Sequence, residues 1–300
     1  MSAGEGWIDL LDPDEAALEA SAPAELHAGA LIQLAEPARE PRPTIESHGP
    51  YVLGVLLAPA AVPAEDAVFY QEVDFVLTRD GLTTVRKTPP GRWPFDPSDA
   101  QEACRPGESP GMHTFHLVDA VAERYLDLID VLHEEIDELE GHVEDWAAGR
   151  IRLRLSELRH DMLHLRQALA PTRDAVRRVV DGRIDLEGAP IFPREIELHF
   201  ADTYDKLLQA TERLDLARDL VASVRDYHQA KIANDANEVM KRLTAIASLI
   251  LVPTFIVGLY GQNFIHIPEF HWRYGYAWSW CLILVTTLVQ LWYFRRKRWI

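Results

Sequence analysis

The chain has 300 residues and a formal charge of −17. That length can bury a sizeable core in two or three structural units. A strongly acidic body excludes a phosphate-binding, nucleic-acid partner, which would need a basic face. The two cysteines, Cys104 and Cys281, lie far apart with no metal-ligand spacing between them, so the sequence gives neither a site and suggests a reducing compartment.

The N-terminal "MSAGEGWIDLLDPDEAALEA" has neither a basic start nor an apolar run, and a signal peptide is not expected there. Residues 1–108 are rich in proline and short apolar runs, which predicts a small α/β subdomain. "YVLGVLLAP" (51–59) reads as a buried strand. "FYQEVDFVLTRDGLTTVRK" (69–87) reads as a hairpin turning at Asp80-Gly81. "TPPGRWPFDPSD" (88–99) closes the strand region.

Residues 109–240 then read as long helices. Apolar residues at 118, 121, 125, 128, 129, 132, 136, 139 and 143 recur at three-to-four spacing. A second helix is expected over about 150–181. A third starts near 194 and meets no proline or glycine until Pro253, so some 60 residues form one rod of roughly 90 Å. The acid run "EEIDELEGHVED" (134–145) could hold a cation, but a solvated helix face is the simpler reading. "HEEID" lacks the final histidine of HExxH, and no nucleophile elbow, phosphate loop or catalytic acid pair is present; an enzyme is not expected.

Two uncharged runs follow, 243–261 and 274–294, each long enough for a bilayer core that needs about 20 helical residues. Buried helices of a soluble protein are the alternative. The flanks favour a membrane: tryptophans and tyrosines cluster at both ends of the second run. Charge is also sorted. Residues 241–300 hold seven cations and one acid, a net +6, which leaves −23 for residues 1–240. Lys241 and Arg242 before the first span and the basic tail 295–300 after the second place both termini in the cytoplasm, with the loop 262–273 outside.

Along the first span, Asn237, Met240, Leu243, Ala247, Leu251, Thr254, Gly258 and Gly261 fall on one helix face. Small residues there could pack helix on helix. Alternatively, Asn237, Thr254 and Gly258 touch water in a pore, with Met240 and Leu243 as an apolar constriction. Two spans cannot enclose a pore, so that reading requires a ring of copies.

The stretch "NEVMKRLTAIASLILVPTFIVGLYGQNF", then "IPEF", "WRYGY" and a basic end "RRKRWI", resembles the CorA family of two-span divalent-cation channels. The resemblance is close over about 200–300 and only architectural before that. It implies a funnel-shaped homopentamer: an α+β cytoplasmic domain joined by a long stalk helix to two C-terminal transmembrane helices in the bacterial inner membrane. It also implies Mg²⁺ as cargo, with Co²⁺ or Ni²⁺ accompanying it; Zn²⁺ is the cargo of another branch, and a non-conducting metal sensor is a further alternative. Gly261, Gln262 and Asn263 take the place of the family's Gly-Met-Asn filter. A neutral amide ring suits an ion that keeps its hydration water. The competing reading of Asn263 is a helix C-cap. Gln262 departs from the family methionine, which leaves ion preference open. Glu269 would concentrate cations outside the mouth. For gating by cytoplasmic Mg²⁺ between subunits, the resemblance carries over to Asp202 in "FADTYD", with Asp96 in "PFDP" as its partner and Asp205 and Asp226 as further acids.

Overall fold

The computed structural model describes residues 6–21, 26–36, 41–62, 67–187, 190–262 and 268–300. They form two compact units, residues 1–225 and 226–300. The first unit begins with strand β1 (Trp7–Leu11), helices α1 (Glu15–Ser21) and α2 (Ala28–Ala35), and strands β2 (Thr44–Ser47), β3 (Val52–Val62), β4 (Ala67–Leu77) and β5 (Leu82–Lys87). Helices α3 (Ser98–Ala103), α4 (Pro110–Gly141) and α5 (Ala148–Val180) follow. Helix α6 (Arg194–Tyr260) runs from this unit into the second, which is completed by a 3₁₀ turn (Pro268–His271) and α7 (Gly275–Arg296).

The five strands make one sheet in the order β1-β5-β4-β3-β2. The β4–β5 hairpin turns where Asp80-Gly81 predicts, closed by Thr78 N–H donating to the Gly81 carbonyl at 2.9 Å. The pairing of β1 with β5 is parallel and joins residues 75 positions apart. Local pattern does not reveal such a pair. Alternation along the strands sends side chains to two faces. Leu56, Val73, Phe75 and Leu77 join the larger core with α4 and α5, while Leu53, Val76 and Val85 join Leu18, Ala30 and Leu34 of α1 and α2. Tyr125 of α4, fully buried, donates its hydroxyl to the Leu57 carbonyl at 2.8 Å and ties helix to sheet. Gly54 is required by this layer: a Cβ there would lie 2.1 Å from the Phe75 ring.

Between sheet and α2 the structure seals an ionic cluster. Lys87 Nζ donates to Glu72 (2.6 Å), Asp74 (2.7 Å) and the carbonyls of Gln33 and Glu36. Burial pushes the Asp74 carboxyl up to about 7 against the pull of Lys87. The third long helix does not stop at its first proline. α6 is 67 residues, about 100 Å, and continues through Pro253 to Tyr260. Proline there removes only the hydrogen bond to the Leu249 carbonyl, a loss that apolar spanning helices tolerate.

Candidate ion pathway and regulatory acids

The C-terminal part of α6 and the whole of α7 are each long and apolar enough to cross a membrane. Along α6, Ala245 and Ile256 are buried and Ser248, Leu249 and Val252 half-buried. These positions form one helix face. Asn237, Met240, Leu243, Ala247, Leu251, Thr254 and Gly258 are all exposed. At about 100° per residue, the stripe from 240 to 258 is centred roughly opposite the covered face. Helix α7 likewise covers one face, at Ser279, Ile283, Thr286, Gln290 and Phe294. On α6 the stripe is thus separate from the face the helix buries within its own chain; it mixes small and polar residues with Met240, Leu243 and Leu251, and Ile246, Ile250, Phe255 and Val257 beside it are exposed as well.

The threonines on α6 make local bonds. Thr254 Oγ1 donates to the Ile250 carbonyl at 2.7 Å and Thr244 Oγ1 to the Met240 carbonyl at 2.8 Å. Each hydroxyl proton is thereby committed to the backbone, and what remains for a visitor is an oxygen acceptor, the half suited to a cation.

The end of α6 is tight. Gly261 N–H donates to Val257 O at 2.9 Å and Gln262 N–H reaches Leu259 O at 3.4 Å. Gly261 does not adopt a left-handed backbone; a Cβ there would stand 3.2 Å from the Val257 carbonyl. Gln262 is exposed. Asn263, the central residue of the sequence argument, lies outside the described residues.

Glu269 sits in the 3₁₀ turn, half-exposed. Its carbonyl accepts from Trp272 N–H at 3.2 Å and lies 2.1 Å from where a Cβ on Gly275 would stand. The glycine of "WRYGY" is thus the contact on which this turn seats against the start of α7.

The acids expected to regulate are exposed: Asp96, Asp202, Asp205 and Asp226. Asp202 and Asp205 flank a satisfied cluster on α6. Thr203 Oγ1 and Lys206 Nζ donate to Asp119 at 2.8 and 3.0 Å, and Lys206 also pairs with Glu123. The cationic place beside Asp119 is already filled by a lysine. Asp96 lines a cleft of about 280 Å³ with Arg124 and Asp127. Its carboxylate accepts from the hydroxyl and the N–H of Ser98, and these bonds hold it below the usual range. Among the described residues, these four acids and the run at 134–145 form no group of three ligands within one chain. Glu135 instead lies half-buried beside Arg154 at 3.2 Å, its pKa raised to about 7 by burial and the nearby Asp161, Glu138 and Glu157.

The family model for "CorA-like Mg2+ transporter protein" matches residues 3–296. The chain belongs to the CorA-like Mg²⁺ transporter family. The "Cobalt/magnesium transport protein CorA" of Thermotoga maritima is 30% identical over 62% of this chain and 52% of its own length. The "Putative metal ion transporter YfjQ" of Bacillus subtilis is 30% identical over 64% of this chain and 59% of its own. The match thus spans little more than half the length of these curated relatives. The solved complete CorA magnesium transporter of Methanocaldococcus jannaschii superposes with a TM-score of 0.78, covering 98% of this chain and 91% of that one, at 21% identity. At that identity the likeness concerns the fold: a mixed sheet unit, long helices and two apolar C-terminal helices. The CorA resemblance drawn from residues 200–300 therefore extends over nearly the whole chain.

Proposed function

We propose that the protein is one subunit of a ring, a homopentamer by family resemblance, that conducts Mg²⁺ passively across the bacterial inner membrane. Co²⁺ and Ni²⁺ are accompanying cargo, and both termini lie in the cytoplasm. The observation that carries this reading is the uncovered stripe on α6, opposite the face the chain buries for itself. Copies arranged with these stripes inward gather Asn237, Thr254 and Gly258 around one axis, with α7 towards lipid. Gln262 and Asn263 then stand at the outer mouth, where neutral amides hold hydrated Mg²⁺ by hydrogen bonds. Glu269 raises the local cation concentration. A potential of 100 mV supplies about 4.6 kcal/mol to a divalent ion, so no nucleotide is needed.

Closure is assigned to Mg²⁺ between neighbouring cytoplasmic units, held by Asp202 with Asp96, Asp205 and Asp226 as further acids. Exposed carboxylates that meet across an interface repel unless a cation sits between them. Their exposure, and the fact that these four acids form no ligand cluster among the described residues of one chain, support a site completed only by a neighbour. Gln262 favours one second reading, a pore of altered preference that includes Zn²⁺.

Flux into liposomes containing only this protein tests the proposal. Asn263→Ala abolishes Mg²⁺ entry at equal reconstitution. Asp202→Asn leaves entry intact and weakens its inhibition by internal Mg²⁺. Undiminished flux through Asn263→Ala overturns the assignment of the mouth, and unchanged inhibition removes Asp202 from the regulatory site.

A further inference from the structure

The turn between α3 and α4 brings together side chains that the sequence separates. Among the described residues, one group of three metal-ligating side chains has its ligand atoms within 4.8 Å of one another: Cys104, Glu108 and His116. Cys104 closes α3, its Sγ donating weakly to the Ala100 carbonyl at 3.3 Å. Glu108 folds back on the turn by accepting from Arg105 N–H at 3.0 Å. His116 stands in the second turn of α4, with Nε2 3.1 Å from Glu108 Oε2. The Glu108 and His116 side chains are 20% and 16% exposed, so an ion can reach the group without unfolding it. His113, one turn earlier on α4, is buried and its Nδ1 has no hydrogen-bond partner among the described residues. It lies near enough to Glu108 and His116 for the charges to interact.

We propose that Cys104, Glu108 and His116 form a binding site for a borderline divalent transition ion, with Zn²⁺ and Co²⁺ as its best ligands and a water completing a tetrahedron. One sulfur, one imidazole nitrogen and one carboxylate oxygen are the donors such ions take, at three protein positions plus an open fourth. Mg²⁺ demands an octahedral oxygen shell and keeps its waters, so this set discriminates against it. On binding, Sγ forms its bond to the ion and releases one proton to bulk water. Burial pushes the Cys104 thiol up to about 11, so without an ion it is mostly protonated and alkylates slowly. The site lies wholly within residues 1–225 and is independent of any pore. It ties the turn after α3 to the start of α4, and so makes the cytoplasmic unit responsive to an ion chemically distinct from Mg²⁺.

The full-length detergent-solubilised protein is titrated with Co²⁺ in a large excess of Mg²⁺. The expected result is a thiolate-to-cobalt charge-transfer band with tetrahedral d–d bands at one ion per chain. Cys104→Ser removes the charge-transfer band and weakens binding more than tenfold, the least to expect from losing a direct ligand when outer partners alone cost about 10–100-fold. His116→Ala weakens it similarly, and Cys281→Ser changes nothing. In the unmodified chain, Co²⁺ protects Cys104 from alkylation, a readout that needs no substitution. A missing band, a band that survives Cys104→Ser, displacement by equimolar Mg²⁺, or an unprotected Cys104 overturns the site. Flux through Cys104→Ser stays normal, so failure here is distinguishable from failure of the pore.

Discussion

In the sheet-bearing unit a lysine and two carboxylates are sealed under a helix, while in the two-helix unit leucines, valines and tryptophans lie in the open. Met240, Leu243, Leu251 and Phe255 are each 60–68% exposed. The first unit obeys the rules of water: apolar groups go inside, and a buried charge is kept only with partners. The second breaks those rules along the whole apolar stretch of α6 and of α7. An apolar surface of that extent marks contact with lipid or with further copies. The contrast matches the charge division: residues 226–300 carry +4 and residues 1–225 carry −21. One helix serves both regimes, with acids, arginines and lysines as far as Arg242 and none between Leu243 and Gly261.

The largest effect expected from attacking this contrast lies at Lys87. Lys87→Met strands Glu72 and Asp74 in the layer between sheet and α2. The expected loss is about 3–5 kcal/mol of unfolding free energy, as for other broken buried pairs. Denaturant unfolding measures it, and a loss under 1 kcal/mol would show the cluster to be hydrated. Next comes Gly275→Ala, which forces a methyl to within 2.1 Å of the Glu269 carbonyl. Overpacking of this kind costs about 1–3 kcal/mol. The turn shifts, Mg²⁺ flux in liposomes falls, and unfolding of the sheet unit is unaffected; normal flux would detach the turn from the mouth.

A smaller effect is a pH slope. Glu135 is raised from 4.5 to about 7 in the folded chain, so between those values the folded state binds more protons than the unfolded one. Its contribution is fully present below about 4.5 and is lost as pH rises through about 7. Asp74, raised from 3.8 to about 7, adds in the same direction. Glu135→Gln flattens the fall in stability over this window, measured by melting at a series of pH values; an unchanged slope excludes Glu135. The smallest effect concerns Gln262→Met. An amide exchanges hydrogen bonds with ion-bound water, and a thioether accepts them weakly. The Mg²⁺-to-Zn²⁺ flux ratio shifts, assembly is spared, and an unchanged ratio would mean that residue 262 does not choose the ion.

Much of this was legible because it is periodic. The apolar run at 51–59 and the Asp80-Gly81 turn mark β3 and the β4–β5 hairpin through local chemistry. The stripe on α6 and both apolar spans follow from 3.6-residue spacing and length. β1 was not legible, because a five-residue strand paired in parallel with a distant one leaves no local signature. The group Cys104, Glu108, His116 was missed for a related reason. Its spacing crosses a helix end, a turn closed by Gly107 at φ +85° and a new helix, and no periodic rule spans all three. Cys104 shows no ligand spacing to Cys281, yet its neighbours in space are an acid and an imidazole. The motif points to Asp202, with Asp205 as a further acid; the structure shows both exposed.

The division after Arg225 also sets a timetable. Among the described residues, every strand and the helices that cover the sheet are encoded before Asp226. At roughly 5–20 residues per second, synthesis of residues 226–300 takes about 4–15 s. Mixed α/β two-state domains fold at rates between the microseconds of helical bundles and the seconds of all-β barrels. By the time α7 is synthesised, residues 1–225 have had seconds in which to fold, so the apolar helices follow a body that can already be folded.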